Sequence, residues 1–330
     1  MNRQLTPDGV LRLINGYWAT GIIGAAATHS LFTHLEAGAD TVSRLAVAAR
    51  ISERGTQTLL DGLVSLGLVE LDDGRYRNGA EASAFLVEGK PSSLSSLAQL
   101  KLNQMAGLQV LPDVVRAGGP GVGAATEVAD NPHWERVVPA IAAQSVPAAV
   151  IAADLLGLAE AGEISILDVG GGSGIYSAIW LERNPAARST QLDWAPVNAI
   201  AGKLVAERGV ADRFTCIDGD FHTTDFGTAA YDLALYSHVA HQEGADGNVE
   251  AFTRLREALK PGGALVVCDY VVDGDRSGPP FALIFASEML LKSNQGGTWT
   301  RDQYHAWLTQ AGFEDITFHD AAPATLIIAR

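Results

Sequence analysis

The chain has 330 residues, 47% of them hydrophobic, and its 38 acidic against 23 basic side chains give a formal charge of −15. That is enough material for about two packed domains. A field of this sign repels nucleic acid and anionic membrane, so neither is expected as a partner.

Residues 1–8 carry no charged-then-apolar leader, and the apolar run from Gly21 to Leu31 is broken by His29 and too short to span a bilayer. Leu11, Leu13, Ile14 and Trp18, then Ile22, Ile23, Leu31 and Leu35, predict two apolar-faced helices. Residues 41–49 and Glu53 to Leu66 predict a helix–turn–helix, and Val69-Glu-Leu-Asp-Asp-Gly-Arg-Tyr-Arg77 a two-stranded wing turning at Asp73-Gly74. A winged helix invites a DNA-binding reading. Residues 1–100, however, hold eight Lys/Arg and ten Asp/Glu, and the second helix sets Glu53 and Asp61 beside Arg54. Without a basic face, dimerisation is the expected role.

Residues from about 92 to 160 predict helices broken by Ala117-Gly-Gly-Pro-Gly-Val-Gly123, a link between domains that also walls a pocket. The expected division is therefore 1–100, 101–160 and 161–330. From Glu163 onward, strands are predicted at 164–169, 189–193, 214–217, 231–237, 264–271, 315–320 and 325–330, mostly separated by helices. Such alternation implies a doubly wound α/β sheet. The last two strands form a predicted hairpin that puts one antiparallel strand at the sheet edge. Cys216 and Cys268 fall in strands and read as reduced core thiols, which fits a cytoplasmic protein.

The most informative segment is Ile166-Leu-Asp-Val-Gly-Gly-Gly-Ser-Gly174. A buried strand ends in Asp168, a glycine cluster (Gly170, Gly172 and Gly174 among it) and then a helix, a nucleotide-type site at a strand's carboxyl end. The G-x-G-x-x-G spacing fails, because Ile175 holds its third position. Asp168 would repel a pyrophosphate. It suits a cofactor with a charged amino acid part, as in S-adenosylmethionine. Asp193 closes the second strand and can accept from both ribose hydroxyls, with Trp194 beside it. After the third strand, Asp220 can take the adenine amino group while Phe221 stacks on the ring. The fourth strand delivers Ser237, His238 and His241 to the same rim. A histidine there can act as general base near neutral pH, and Asp269, ending the fifth strand, could hold its tautomer.

These motifs resemble the S-adenosylmethionine-dependent O-methyltransferases typified by plant caffeate-type and bacterial antibiotic-tailoring enzymes. The likeness covers nearly the whole chain, including Gly219-Asp-Phe221, His241, Leu259-Lys-Pro-Gly-Gly263 and the stretch Asn294 to Thr300. It implies a Rossmann-like methyltransferase sheet with an antiparallel C-terminal strand, behind a mainly helical winged-helix domain that forms a homodimer. It also implies S-adenosylmethionine as cofactor, S-adenosylhomocysteine as product, His241 as the base and Asp269 as its orienting acid. The acceptor pocket would be lined by Phe285 and Met289 beside Met105 and Trp134, with His238, Asn294 and Trp299 nearby.

The chain departs from the pattern at His241-Gln-Glu243, where the family usually has His-Asp-Trp, and at Trp299, which stands near an acidic position. Some relatives bind a metal through histidines. Here Ser293 and Asn294 occupy the neighbourhood of the second ligand, so no metal is expected. The leading reading is O-methylation of a small aromatic or polyketide-like molecule. C-methylation, for example of an α-keto acid, or a non-methylating use of the sulfonium keeps the same fold. A ligand-sensing winged-helix regulator is the non-enzymatic alternative.

Overall fold

A computed structural model describes residues 6–126, 128 and 131–330; residues 1–5, and with them most of the expected leaderless start, lie outside the described residues. The chain divides into two units, the first ending at Gln109 and the second beginning at Val110.

In the first unit the two expected amino-terminal helices are three, Asp8–Ile14, Tyr17–Thr28 and Leu31–Glu36. Ser30, in the left-handed region at φ 52°, separates the second from the third. The helix–turn–helix follows as Val42–Ala49 and Glu53–Ser65. Thr41 caps the first helix by accepting from the Arg44 amide, and Ser52 caps the second by accepting from the Gly55 amide. Strands β1 (Val69–Asp72) and β2 (Arg75–Asn78) form the wing. Leu31, Phe32, Leu45, Leu60 and Leu63, all fully buried, knit these elements into one core. The first helix buries nothing in the single chain, and Leu13, Ile14 and Trp18 remain 78%, 63% and 58% exposed.

The second unit is built on seven strands. Of these, β3 (Ser165–Val169), β4 (Arg188–Asp193), β5 (Phe214–Asp218), β6 (Tyr231–Ser237) and β7 (Leu259–Asp269) run parallel. The chain ends in the hairpin β8 (Ile316–Ala321) and β9 (Ala324–Ala329). The order across the sheet is β5-β4-β3-β6-β7-β9-β8. The antiparallel strand is thus β9, one place in from the edge, and β8 takes the edge itself. Composition explains the order. Ala324-Thr-Leu-Ile-Ile-Ala329 is buried at all six positions, as an inner strand requires, whereas β8 carries His319 and Asp320. Strand β7 also starts earlier than its apolar run. Leu259 pairs with Tyr231, and the register shifts before Ala264 pairs with Leu233, so Lys260-Pro-Gly-Gly263 is absorbed as an irregularity rather than a turn.

Both sheet faces are covered. On one, Ile166, Leu235 and Val266 pack with Trp180 and with Ala148, Ala149, Ala152 and Ala153 of helix His133–Leu155. The indole Nε1 of Trp180 donates to the Ala149 carbonyl at 2.9 Å. Among the described residues this is the one helix long and apolar enough to cross a bilayer by length and composition; its alanine face lies against the domain core. The other face buries Leu167, Tyr236 and Leu265 against Phe252, Leu255, Tyr304 and Leu308. Because β4 lies on one side of β3 and β6 on the other, the connections diverge there. That opens a crevice above the carboxyl ends of the strands.

Candidate active site

The loop after β3 turns away from the sheet at Gly170, whose φ is +65°. A side chain there would put its Cβ 2.6 Å from Val239 Cγ2, so the residue must be glycine on both counts. Asp168, 1% exposed, accepts from Ser177 Oγ at 2.8 Å through Oδ2. Its Oδ1 is buried without a partner. Burial first, and then the charge of Asp193, push its carboxyl up to about 7. Asp193 accepts from the amides of Gly172 (2.9 Å) and Trp194 (2.8 Å), which partly offset the burial that raises it to about 6. An unpartnered buried carboxylate oxygen beside a side-chain-free loop is the environment an ammonium group needs. These residues fit the amino acid end of S-adenosylmethionine.

The cavity at this switch point is lined by Asp168, Gly170, Gly172, Asp193 and Trp194 on one side. Asp220, Phe221, Ser237 and His238 line it opposite, and Trp134 and Val138 of helix His133–Leu155 contribute a wall. Gly174 stands behind it as the cap of helix Ile175–Arg183. Asp220 does not stand alone: its Oδ1 receives both the backbone amide (2.9 Å) and the ring Nδ1 (2.7 Å) of His222.

His241 is 6% exposed, in a 3-10 turn just after β6. Its Nδ1 lies 2.7 Å from Asp269 Oδ1, and its amide donates to Oδ2 at 2.8 Å. The Tyr270 amide (2.7 Å) and the Tyr304 hydroxyl (3.1 Å) complete four donors on one fully buried carboxylate. Burial alone would raise Asp269, but the imidazole's charge and hydrogen bond, with the Tyr270 amide, hold it below the ordinary carboxylate range. An ionised carboxylate only accepts, so the Nδ1 proton points at Asp269 and Nε2 is the ring nitrogen not committed to it. His238, Asp269 and His241 bring possible metal ligands within 4.8 Å of one another. Both Asp269 oxygens are already engaged by four donors.

The turn itself is gripped from outside. Ala240 O accepts from Trp299 Nε1 (3.2 Å) and Asn248 Nδ2 (2.9 Å). His241 O accepts from the Gly297 amide (2.9 Å), and Gln242 O from Ser293 Oγ (2.9 Å). The approach is so close that a Cβ on Gly296 would sit 2.5 Å from His241 O. Three successive carbonyls beneath the imidazole are thereby fixed.

The residues expected around the acceptor are spread more widely. Phe285, on helix Pro280–Lys292, meets the His241 ring edge-on at 4.9 Å, and Tyr270 closes the cluster 4.6 Å from Phe285. Met289 is buried on the same helix. His238 lies 6.0 Å from His241 between ring centroids; burial pushes it down to about 4, so it is a neutral imidazole. Asn294 bonds both the amide and carbonyl of Gly121, both at 2.9 Å, and so clips the glycine-rich loop. Trp299, expected in the pocket, packs on Trp307 and braces the turn that carries His241. Met105 belongs to the first unit, in the 3-10 turn Met105–Val110. Tyr270, Tyr304 and His222 are additions with no sequence signal beyond their neighbours, and Glu243 shows in the sequence only as a departure from the family pattern.

A doubly wound sheet with a glycine loop, two aspartates at its switch point and a histidine–aspartate pair on the next rim belongs to a methyltransferase using S-adenosylmethionine. An O-methyltransferase domain family matches residues 141–314, and an O-methyltransferase dimerisation domain family matches residues 11–88. The chain belongs to the S-adenosylmethionine-dependent O-methyltransferase family. It is 30% identical to the 3-hydroxy-5-methyl-1-naphthoate 3-O-methyltransferase of Streptomyces sahachiroi, over 96% of this chain and 92% of that one. It is 28% identical to the tetracenomycin polyketide synthesis 8-O-methyltransferase of Streptomyces glaucescens, over 98% and 96%. Its structure is similar to human N-acetylserotonin methyltransferase in complex with S-adenosylmethionine, with a TM-score of 0.86, 25% identity and coverage of 100% and 98%.

Proposed function

We propose that the protein methylates a hydroxyl group of a small aromatic or polyketide-like molecule, with His241 as general base and Asp269 as its orienting acid. The observation that carries this reading is the buried His241–Asp269 pair, which commits Nδ1 to the carboxylate and leaves Nε2 uncommitted on a ring packed against an aromatic cluster. The two Streptomyces relatives, named for methylation of a naphthoate and of a polyketide, support the same acceptor class.

When bound, S-adenosylmethionine supplies a methyl group already made electrophilic by its sulfonium. The protein's tasks are then position and proton removal. Asp168 Oδ1 would hold the cofactor's amino group and Asp193 its ribose hydroxyls, while Asp220 takes the base. Phe285, Tyr270, His238 and Trp134 would seat a flat acceptor so that its oxygen lies about 3 Å from the transferred carbon. His241 Nε2 takes the hydroxyl proton as the new bond forms, and Asp269 stabilises the imidazolium that results. Glu243, whose presence after His241 raises the question of a different reaction, engages His222 rather than the base.

Two further parts belong to the proposal. Leu13, Ile14 and Trp18, exposed in the single chain, support a homodimer formed through the first unit, as does the dimerisation-domain match. The free thiols Cys216 and Cys268 support a cytoplasmic setting.

The reaction type is tested by product mass with a set of hydroxylated aromatic acceptors. A gain of one methyl that ether cleavage removes is expected. A methyl that survives cleavage, or a product without one, contradicts O-methylation.

A further inference from the structure

We propose that His222 is a cofactor-binding residue, the cationic wall on which the purine of S-adenosylmethionine stacks and the group that fixes Asp220 beside it. This rests on the cofactor reading above and adds a residue to it. The sequence makes Phe221 the stacking platform, but one face of the Phe221 ring is covered by the His222 ring, with centroids 4.0 Å apart and planes 28° from parallel. The edge of Tyr236 approaches it as well, at 6.1 Å and 79°. His222 lines the cavity and keeps 52% of its side chain exposed, so its outer face is the accessible one.

Both ring nitrogens of His222 face carboxylates. Nδ1 lies 2.7 Å from Asp220 Oδ1 and Nε2 3.3 Å from Glu243 Oε1. A neutral imidazole has one N–H and cannot donate to two anions; an imidazolium can. Among the described residues, the Arg254 guanidinium also reaches this loop: it donates to the carbonyls of Phe221 (2.6 Å), His222 (3.1 Å) and Thr224 and lies over Phe226 at 4.2 Å. It anchors the loop by its backbone rather than by competing for the carboxylates. The hydrogen bond that His222 donates to Glu243, opposed by partial burial and joined by the one to Asp220, raises the imidazole to about 9. The ring is a cation through the neutral range, and a cation against a purine face adds attraction to the stacking. Glu243, which departs from the family's sequence pattern, thereby acquires a task. It ties the cofactor loop to the segment that follows the catalytic turn.

The experiment is calorimetric titration of the full-length protein with S-adenosylhomocysteine from about pH 6 to about pH 10, for wild type, His222→Ala and Glu243→Gln. The quantity read is the ratio of wild-type to His222→Ala affinity, in which titration of the ligand's own amine cancels. The ratio is expected to be about tenfold near neutrality and to decline as the pH rises through about 9. With Glu243→Gln as the parent, the decline should move toward the ordinary histidine value of about 6.5. A ratio near one at every pH, or a decline that Glu243→Gln does not move, overturns the proposal. Wild-type protein that fails to bind the ligand at any pH overturns instead the cofactor reading on which it rests.

Discussion

His241→Ala is expected to lower turnover about 10²–10⁴-fold while affinity for the cofactor is preserved. A phenolic acceptor has a pKa near about 10, so at neutral pH about one molecule in a thousand is ionised. The enzyme must remove that proton as the methyl group moves. His241 is suited to it because its Nδ1 is committed to Asp269 and its backbone is pinned at three consecutive carbonyls, so Nε2 is held without freedom to turn away. The defect should be pH-dependent with a definite sign. As the pH rises toward the acceptor's own pKa, the substrate ionises without help and the variant recovers toward wild type. Steady-state rates at several pH values, with calorimetric binding on the same preparations, test this. Unchanged turnover near neutrality removes His241 from the chemistry.

Asp269→Asn should damage both catalysis and folding. The carboxylate accepts from the His241 amide, His241 Nδ1, the Tyr270 amide and the Tyr304 hydroxyl. An amide side chain offers one carbonyl oxygen and turns an NH₂ group toward the other donors, leaving buried N–H groups opposed. A buried donor left without its acceptor costs about 1–3 kcal/mol. The imidazole also loses the anion that selects its tautomer, a change that can cost about 10⁴-fold in turnover where a histidine base depends on it. Because Asp269 is held below the ordinary carboxylate value, its contribution to stability is complete above about pH 4 and is lost as the pH falls through its lower folded value. The wild-type stability curve should therefore fall more steeply in acid than that of the variant. Denaturant unfolding against pH, alongside turnover under conditions where both proteins are folded, reads each effect. Equal stability and equal turnover would show that the pair has neither role.

The sheet is legible in the sequence because buried parallel strands are nearly unbroken apolar runs. Their polar carboxyl-terminal residues can be read off in order, and Asp168, Asp193, Asp220 and Ser237 meet at one cavity. What pattern alone does not carry is direction through space. The hairpin at the end of the chain is visible, but which arm lies inside depends on pairing β9 with β7, more than fifty residues earlier. Tyr304 reaches Asp269 across 35 residues from a helix whose sequence advertises only its capping box. The partners of Trp299 and Glu243 are not legible for the same reason. An indole near a pocket can line it or brace its wall, and a carboxylate after a catalytic histidine can face the base or turn to another partner. Here Trp299 donates to the Ala240 carbonyl and Glu243 holds His222.

The cofactor assignment is tested most directly by calorimetric titration with S-adenosylmethionine and S-adenosylhomocysteine in two buffers of different ionisation enthalpy, with Asp193→Ala beside the wild type. Burial holds Asp168 well above the usual carboxylate range, and an ammonium group against its free Oδ1 favours the ionised form. Both ligands should bind with net release of protons near neutral pH, and Asp193→Ala should weaken binding about 10²-fold through the lost ribose contacts. Failure of the wild type to bind either ligand, or affinity untouched by Asp193→Ala, would contradict the placement of the cofactor over the glycine loop.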